Sequence, residues 1–432
     1  MLDGRTYFTG FTGALMAGIS AIALAAPAAA QTRVDFYYPV QVGGPLTQVI
    51  DGYVAKFEEA HPDIDVVPVY SGNYNDTTTK SLTAAKSGTP PTVAVLLATD
   101  IFTLIDEDVV IPVDTFFTDA DKEWVDGFMP AFLESARVED HLWAVPFQRS
   151  TAVLYWNKDA FAEAGLDPEK YPTTWDEMVE YGKAVTTDGS SGTKRWGVGI
   201  PGNVGSSQWL FTALAAQNGA RLMNAEGTET YLTDPKVVEA LQFWVDLSTK
   251  EKIHPEGIQE WGTTPADFLE GRIAMIWTTT GNLTNLRKNA TFNFGMAPYP
   301  GNPDGASALG GGNFYIFKDV SEEQQKAAYE FVKFMTSDEI LADWAIATGY
   351  VAPRDGSWEV DVLKAYTEEV PMALVAKNQI PVAVPEFSTH ENARTTKVLN
   401  DALAAALTGA KTPEQALGDA QAEIDRILRP YR

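Results

Sequence analysis

The first hundred residues alternate between short apolar runs and helical periodicity, and that alternation restricts the fold more than any other feature. "VDFYYPV" (Val34–Val40) reads as a strand rich in β-branched and aromatic residues. Leu46, Val49, Ile50, Tyr53, Val54 and Phe57 then recur at the spacing of one helical face. His61-Pro62 stops that helix, and "IDVVPVY" (Ile64–Tyr70) is the next strand. A helix through Leu82, the breaker "SGTPP" (Ser87–Pro91) and the strand "TVAVLLA" (Thr92–Ala98) complete a β-α-β-α-β series. Short apolar strands joined by helical crossovers require a parallel sheet covered by helices, hence an α/β class.

The same pattern returns later. "STAVLYWN" (Ser150–Asn157) is a strand, Asn157 caps a helix running to Gly165, and Leu166-Asp167-Pro168 turns the chain. Thr174-Trp175-Asp176-Glu177 reads as a capping box opening another helix. Further capped helices start at Asp234-Pro235, Ser321-Glu322-Glu323-Gln324 and Thr412-Pro413-Glu414-Gln415. Val237, Val238, Leu241, Trp244 and Val245 form an apolar stripe of the kind that faces a core. At 432 residues the chain exceeds one average domain, which gives an expectation of two or three. There is no internal repeat and no Pro/Ser-rich linker. The expectation is therefore two lobes joined by crossing strands, the first crossing following "WAVPF", where Pro146 interrupts an extended run.

Composition narrows the function classes. A formal net charge of −26 lacks the basic footprint of nucleic-acid binding and is repelled by anionic membranes. Residues 1–30 carry Arg5, a small-residue apolar run and Ala28-Ala29-Ala30 before Gln31, the layout of a cleaved signal peptide. With no cysteine there is no disulfide framework, thiolate metal site, cysteine nucleophile or lipidated cysteine. An exported, unanchored, disulfide-free protein fits the periplasm. The four histidines, His61, His141, His254 and His390, have no metal-ligand spacing, and no cofactor or metal is expected. The nucleophile elbow G-x-S-x-G is absent. "GVGIPG" (Gly197–Gly202) matches G-x-G-x-x-G only formally, since Pro201 lies within it and no helix opens behind it; it reads as a turn-rich loop.

Aromatic and small polar residues concentrate at strand ends and turns, in "FYYPVQVGG", "SGNYND", "PFQRSTAVLYW", "IWTTTGN", "GGGNFY" and "ATGYVAPR". Open α/β sheets bind ligands at such strand ends, where rings stack on sugars and polyols and small polar groups orient them. The segments "VLYWNKDAFAEAGLDPEKYPTTWDEM", "GRIAMIWTTTGNLTNL", "GGGNFYIF", "FVKFMTSDEILADWAIATGYVAPR" and "LTGAKTPEQALGDA" resemble the family 1 extracellular solute-binding proteins of bacterial ABC importers, over essentially the whole chain after residue 30.

The resemblance implies two α/β lobes of the maltose-binding-protein-like type, joined by hinge strands and closing on a solute. The crossings fall near Pro146–Ser150, Gly310–Gly312 and Tyr350–Pro353. Residues 31–147 and 312–349 are expected in one lobe, and 148–311 and 350–432 in the other. Matching the family's motifs brings Tyr74, Ser150, Thr279, Gly310-Gly311 and Tyr350 to the ligand. Two positions depart: an acidic residue falls at Ala98 with Asp100 nearby, and an arginine falls at about Ser388, with His390 and Arg394 close. Arg149 is available as a replacement cation for an anionic solute; the alternative for it is a salt bridge across the hinge. The candidate ligand-contacting set is Tyr38, Tyr74, Asp100, Arg149, Ser150, Trp209, Trp277, Thr279, Gly311, Gly312 and Tyr350.

The family further implies a monomeric, non-enzymatic receptor. It would deliver glycerol 3-phosphate, a glycerophosphodiester or a sugar-like solute to a membrane permease and its ATPase. A neutral or sulfonated sugar is the alternative within the class, and a secreted carbohydrate-processing enzyme the distant one.

Overall fold

The computed structural model describes residues 31–432 apart from 189–193, 204–206 and 303–305; the expected signal segment, residues 1–30, lies outside the described residues. Its strands are β1 (Thr32–Tyr38), β2 (Ile64–Tyr70), β3 (Val93–Leu97), β4 (Arg137–Val138), β5 (His141–Leu142), β6 (Val145–Asn157), β7 (Trp196–Gly199), β8 (Ile273–Thr279), β9 (Phe294–Ala297), β10 (Ser307–Ile316) and β11 (Ala383–Val384). The main sheet has the order β2-β1-β3-β10-β6-β8-β7, with β11 on β10 and β9 on β6. Each lobe keeps the parallel pairing anticipated from the crossovers: β1 with β2 and β3, and β7 with β8. The two long strands between them run antiparallel, so the sheet is mixed.

β6 and β10 physically connect the lobes. The first half of β6 pairs with β10 from Val145↔Phe314 to Thr151↔Leu309, and its second half, Ala152–Trp156, pairs with β8. A bulge between Gly312 and Asn313 shifts the register in mid-crossing. Gly311 adopts φ +99° there, a conformation side-chain-bearing residues rarely take, and a Cβ on it would lie 1.8 Å from the Gln148 carbonyl oxygen. A third segment packs on the crossing where the Val351 N–H donates to the Arg149 carbonyl oxygen at 2.7 Å.

Two large apolar cores flank this crossing. One gathers Phe36, Ile50, Phe57, Val93, Phe314, Phe331 and Trp344; the other gathers Leu154, Phe161, Leu210, Leu241, Trp244, Met275, Trp277 and Leu403. The expected division at Tyr350 differs from this packing. Val351, Ala352, Trp358, Leu363, Ala376 and Ile380 belong to the first core, whereas Phe387 and Leu399 belong to the second.

Local signals were mostly accurate. The Asn157 side chain accepts from the Ala160 N–H at 2.9 Å, and Gly165 ends that helical turn at φ +77°. Thr174 accepts from the Glu177 N–H at 3.1 Å, but the expected return bond goes elsewhere. Glu177 accepts instead from the N–H and hydroxyl of Thr173, both at 2.7 Å, and these bonds lower its pKa. Trp175, next in the helix Trp175–Val185, stacks on Phe243 at 4.1 Å and donates to Gln217 at 2.8 Å. This piece of chain therefore fixes how the second lobe hangs from β6. The "GVGIPG" segment is a correction: Trp196–Gly199 is strand β7, and Gly197 has no room for a Cβ because the Gly182 backbone of that helix passes 2.3 Å from where it would stand.

Candidate functional site

A cavity of about 330 Å³ opens where the strand ends of both lobes meet the crossing. Val40, Gln41, Asn73, Tyr74, Asn75 and Leu97 line it from the first lobe. Ser150 and Gly311 come from the crossing strands and Tyr350 from the segment packed on them, and Asn203, Trp209, Trp261, Gly262, Thr279 and Glu386 complete it.

Tyr74 is held there by local chemistry. It is the first residue of the helix Tyr74–Lys86, whose start is fixed by a reciprocal Asn73–Asp76 capping box. Its hydroxyl donates to Gln148 Oε1 at 2.7 Å, tying the first lobe to β6. Burial pushes this phenol well above its ordinary pKa. Tyr350 follows Gly349, which ends the preceding helix at φ +103°. Its ring lies parallel to Trp344 at 5.9 Å, and burial raises its pKa to about 12.

The second lobe supplies an aromatic wall. Trp209 donates from Nε1 to the Leu309 carbonyl oxygen at 2.9 Å and lies edge-on to Trp261 at 5.8 Å. It fits because Gly310 has no side chain: a Cβ there would be 2.6 Å from Nε1. Thr279, at the end of β8, accepts from the Gly281 N–H at 3.1 Å, which leaves its hydroxyl proton free to donate. The Ser150 side chain is 4% exposed and lines the cavity without a hydrogen bond to any described residue. Stacking faces and spare hydroxyls of this kind suit a polyol.

Five of the expected residues stand outside this cavity. Tyr38 is buried in the first core beside Phe36 and Tyr70, and Trp277 is buried against Tyr299 at 4.1 Å. Trp277 shares a β8 face with Thr279 but sits two residues, about 7 Å, deeper. Gly312 backs the Tyr74 ring, which would be 2.7 Å from an added Cβ. Asp100 accepts from Thr78 at 2.7 Å, and burial raises its pKa to about 6. Arg149 points into a neighbouring cavity. His390 and Arg394 are engaged elsewhere, His390 with Asp106 at 3.1 Å and Arg394 with Glu391 at 3.2 Å.

Sequence reasoning missed Gln41, Asn73, Asn203, Trp261 and Glu386. Glu386 is the most consequential: burial, despite attraction to Arg149, raises its pKa to about 8. The acidic residue in "AVPEFSTH", two positions before Ser388, is its only signal in the sequence.

Among the described residues no group of His, Asp or Glu could hold a metal, and no helix is long and apolar enough to cross a membrane. The model of the bacterial extracellular solute-binding proteins matches residues 52–371. The chain belongs to this family. It is 29% identical to the sn-glycerol-3-phosphate-binding periplasmic protein UgpB of Pectobacterium atrosepticum, over 94% of both chains. It is also 29% identical to the protein of that name from Yersinia enterocolitica, over 95% of both. Among solved structures it resembles UgpB from Mycobacterium tuberculosis in complex with glycerophosphocholine, with a TM-score of 0.83 and 22% identity over 93% of this chain and 99% of that one. A Thermotoga lettingae solute-binding protein bound with α-D-tagatose gives a TM-score of 0.81 and 19% identity over 92% and 100% of the two chains. Maltose-bound T. maritima MalE3 gives 0.79 and 24% identity over 92% and 100%. These likenesses place the fold among the maltose-binding-protein-like receptors, with two lobes and hinge strands.

Proposed function

We propose that this chain is the periplasmic receptor of an ABC importer, that it performs no catalysis, and that it takes up glycerol 3-phosphate or a related glycerophosphodiester. The observation that carries the reading is the cavity itself, to which both lobes and the crossing strands contribute Tyr74, Ser150, Trp209, Thr279, Gly311 and Tyr350. A solute touching both lobes favours the closed arrangement by its extra contacts in that state, and a membrane permease would recognise the closed form. Relatives named for sn-glycerol 3-phosphate, and a structural neighbour holding glycerophosphocholine, support the solute class. Residues 1–30 would be the export signal, removed on the way out.

A neutral sugar is the second reading, favoured by one observation: among the described residues no lysine or arginine lines the aromatic cavity, and the only carboxyl lining it is Glu386. Thermal melts of the protein with glycerol 3-phosphate, glycerophosphocholine, glycerol and maltose separate the two, because a ligand that binds only the folded state raises the melting temperature. The reading expects the phosphate-bearing solutes to stabilise. Stabilisation by maltose alone, or turnover of a glycerophosphodiester, would overturn it. Small-angle scattering with the stabilising solute should show a smaller radius of gyration.

A further inference from the structure

A second cavity of about 320 Å³ adjoins the first, and the two share Glu386. Its wall includes Arg137 and Arg149 with Ser135 on the first-lobe side, and Arg221 on the second-lobe side. These arginines differ from the rest of the molecule. Arg33, Arg195, Arg272, Arg287, Arg354, Arg394, Arg426 and Arg432 each pair with a carboxylate. Of the described arginines, only Arg137, Arg149, Arg221 and Arg429 make no ion pair with a described residue. Three of those four line one cavity, in a chain with 58 acidic residues against 32 basic ones.

Arg149 is the sharpest case. It is 1% exposed, yet among the described residues its guanidinium meets only neutral acceptors: Asn313 Oδ1 at 3.0 Å, Ser135 Oγ at 3.3 Å and the Gly311 carbonyl at 3.4 Å. It also lies 5.1 Å from the Phe132 ring centroid. Its Nε and the nearby Asn313 Nδ2 are buried donors without partners. The alternative salt bridge across the hinge does not form with any described residue. A guanidinium taken out of water without a counterion is destabilising, and supplying an anion relieves that. Glu386 attracts Arg149 but forms no ion pair with it, and desolvation raises the pKa of its carboxyl to about 8. Glu134, the other acid of this wall, is exposed.

We propose that this arginine-lined cavity is an anion subsite that takes the phosphoryl group of a solute whose organic end lies between Tyr74 and Trp209. The inference rests on the proposed solute class and adds to it where the charge is held. Arg149 would hold the phosphoryl group by charge-assisted hydrogen bonds, and Arg137 and Arg221 would approach it from opposite lobes, so the anion itself favours closure. The basic-free aromatic cavity is then no obstacle to an anionic solute, because only the uncharged portion occupies it.

The test is calorimetric titration of the full mature chain with glycerol 3-phosphate, glycerophosphocholine and maltose at neutral pH. Wild type is compared with Arg149→Gln, and with Arg221→Gln, whose exposed position makes it safe for folding. Arg149→Gln should lose about 10- to 150-fold in affinity for glycerol 3-phosphate, the range for a hydrogen bond to a charged group. Arg221→Gln should lose about 2- to 5-fold, with a shallower salt dependence. Glycerol 3-phosphate bound by wild type and equally well by Arg221→Gln, with an unchanged salt slope, would overturn the subsite while leaving the solute class standing. Wild type binding only maltose would overturn both.

Discussion

Gly311→Ala perturbs the crossing at the point where the structure has least tolerance. An alanine at φ +99° leaves the regions open to L-residues, which costs about 1–3 kcal/mol. Its Cβ would also lie 1.8 Å from the Gln148 carbonyl oxygen. That atom is backbone in the paired strand, so no side-chain rotation relieves the clash, and β6 and β10 must separate locally. Losing one or two ladder hydrogen bonds adds about 1 kcal/mol each. The expected total is about 2–5 kcal/mol. Gly52→Ala is the matched control: it lies in the helix Leu46–Ala60, with nothing within 4 Å of the new methyl. It should be neutral or stabilise by about 0.5–1 kcal/mol, since alanine favours a helix interior. Urea unfolding of both variants, followed by fluorescence, provides the comparison. Gly311→Ala should also bind solute poorly, because the same displacement moves Ser150 and Gln148. A Gly311→Ala midpoint indistinguishable from that of Gly52→Ala would refute the strained-bulge reasoning.

Tyr74→Phe keeps the ring but leaves Gln148 Oε1 without its 2.7 Å donor, and should destabilise by about 1–3 kcal/mol in the same urea experiment; an unchanged midpoint would mean that water or another donor replaces the hydroxyl. Asn73→Ala removes the cap that seats Tyr74 and should cost about 1 kcal/mol, with a parallel loss of solute affinity by calorimetry. Glu386, raised from 4.5 to about 8, binds a proton in the folded state that it releases when unfolded, so its contribution is present at low pH and lost as pH rises toward about 8. Urea midpoints from pH 5 to 9 should therefore fall more steeply in wild type than in Glu386→Gln, after the like-signed contribution of Asp100, raised to about 6, is matched in both. Parallel pH profiles would show that Glu386 is ionised well below neutrality.

Much of this protein was determined locally. The strand–helix alternation, the caps at Asn157, Ser321 and Thr412, and the apolar stripe ending at Val245 follow from propensity and period within a few residues of each signal. Tyr74, Ser150, Thr279 and Tyr350, the positions the family resemblance implies, all line the cavity; Tyr74 begins a helix and Thr279 ends β8, whereas Ser150 lies inside β6. Tertiary structure decided the rest. Arg149 and Ser150 are adjacent, and a strand turns neighbouring side chains to opposite faces, so they serve different cavities. The bulge at Gly312/Asn313 set the register that brings Asn313 Oδ1 to Arg149, a partnership across 164 residues that no local pattern encodes. Glu386 acquired its raised pKa from burial that outweighs the opposing pull of Arg149 and Gln208, and the packing of Val351, Trp358, Leu363 and Ile380 on the first core came from tertiary contacts. Both depend on which surfaces remain to be covered once the two lobes are joined, and that is a property of the assembled chain.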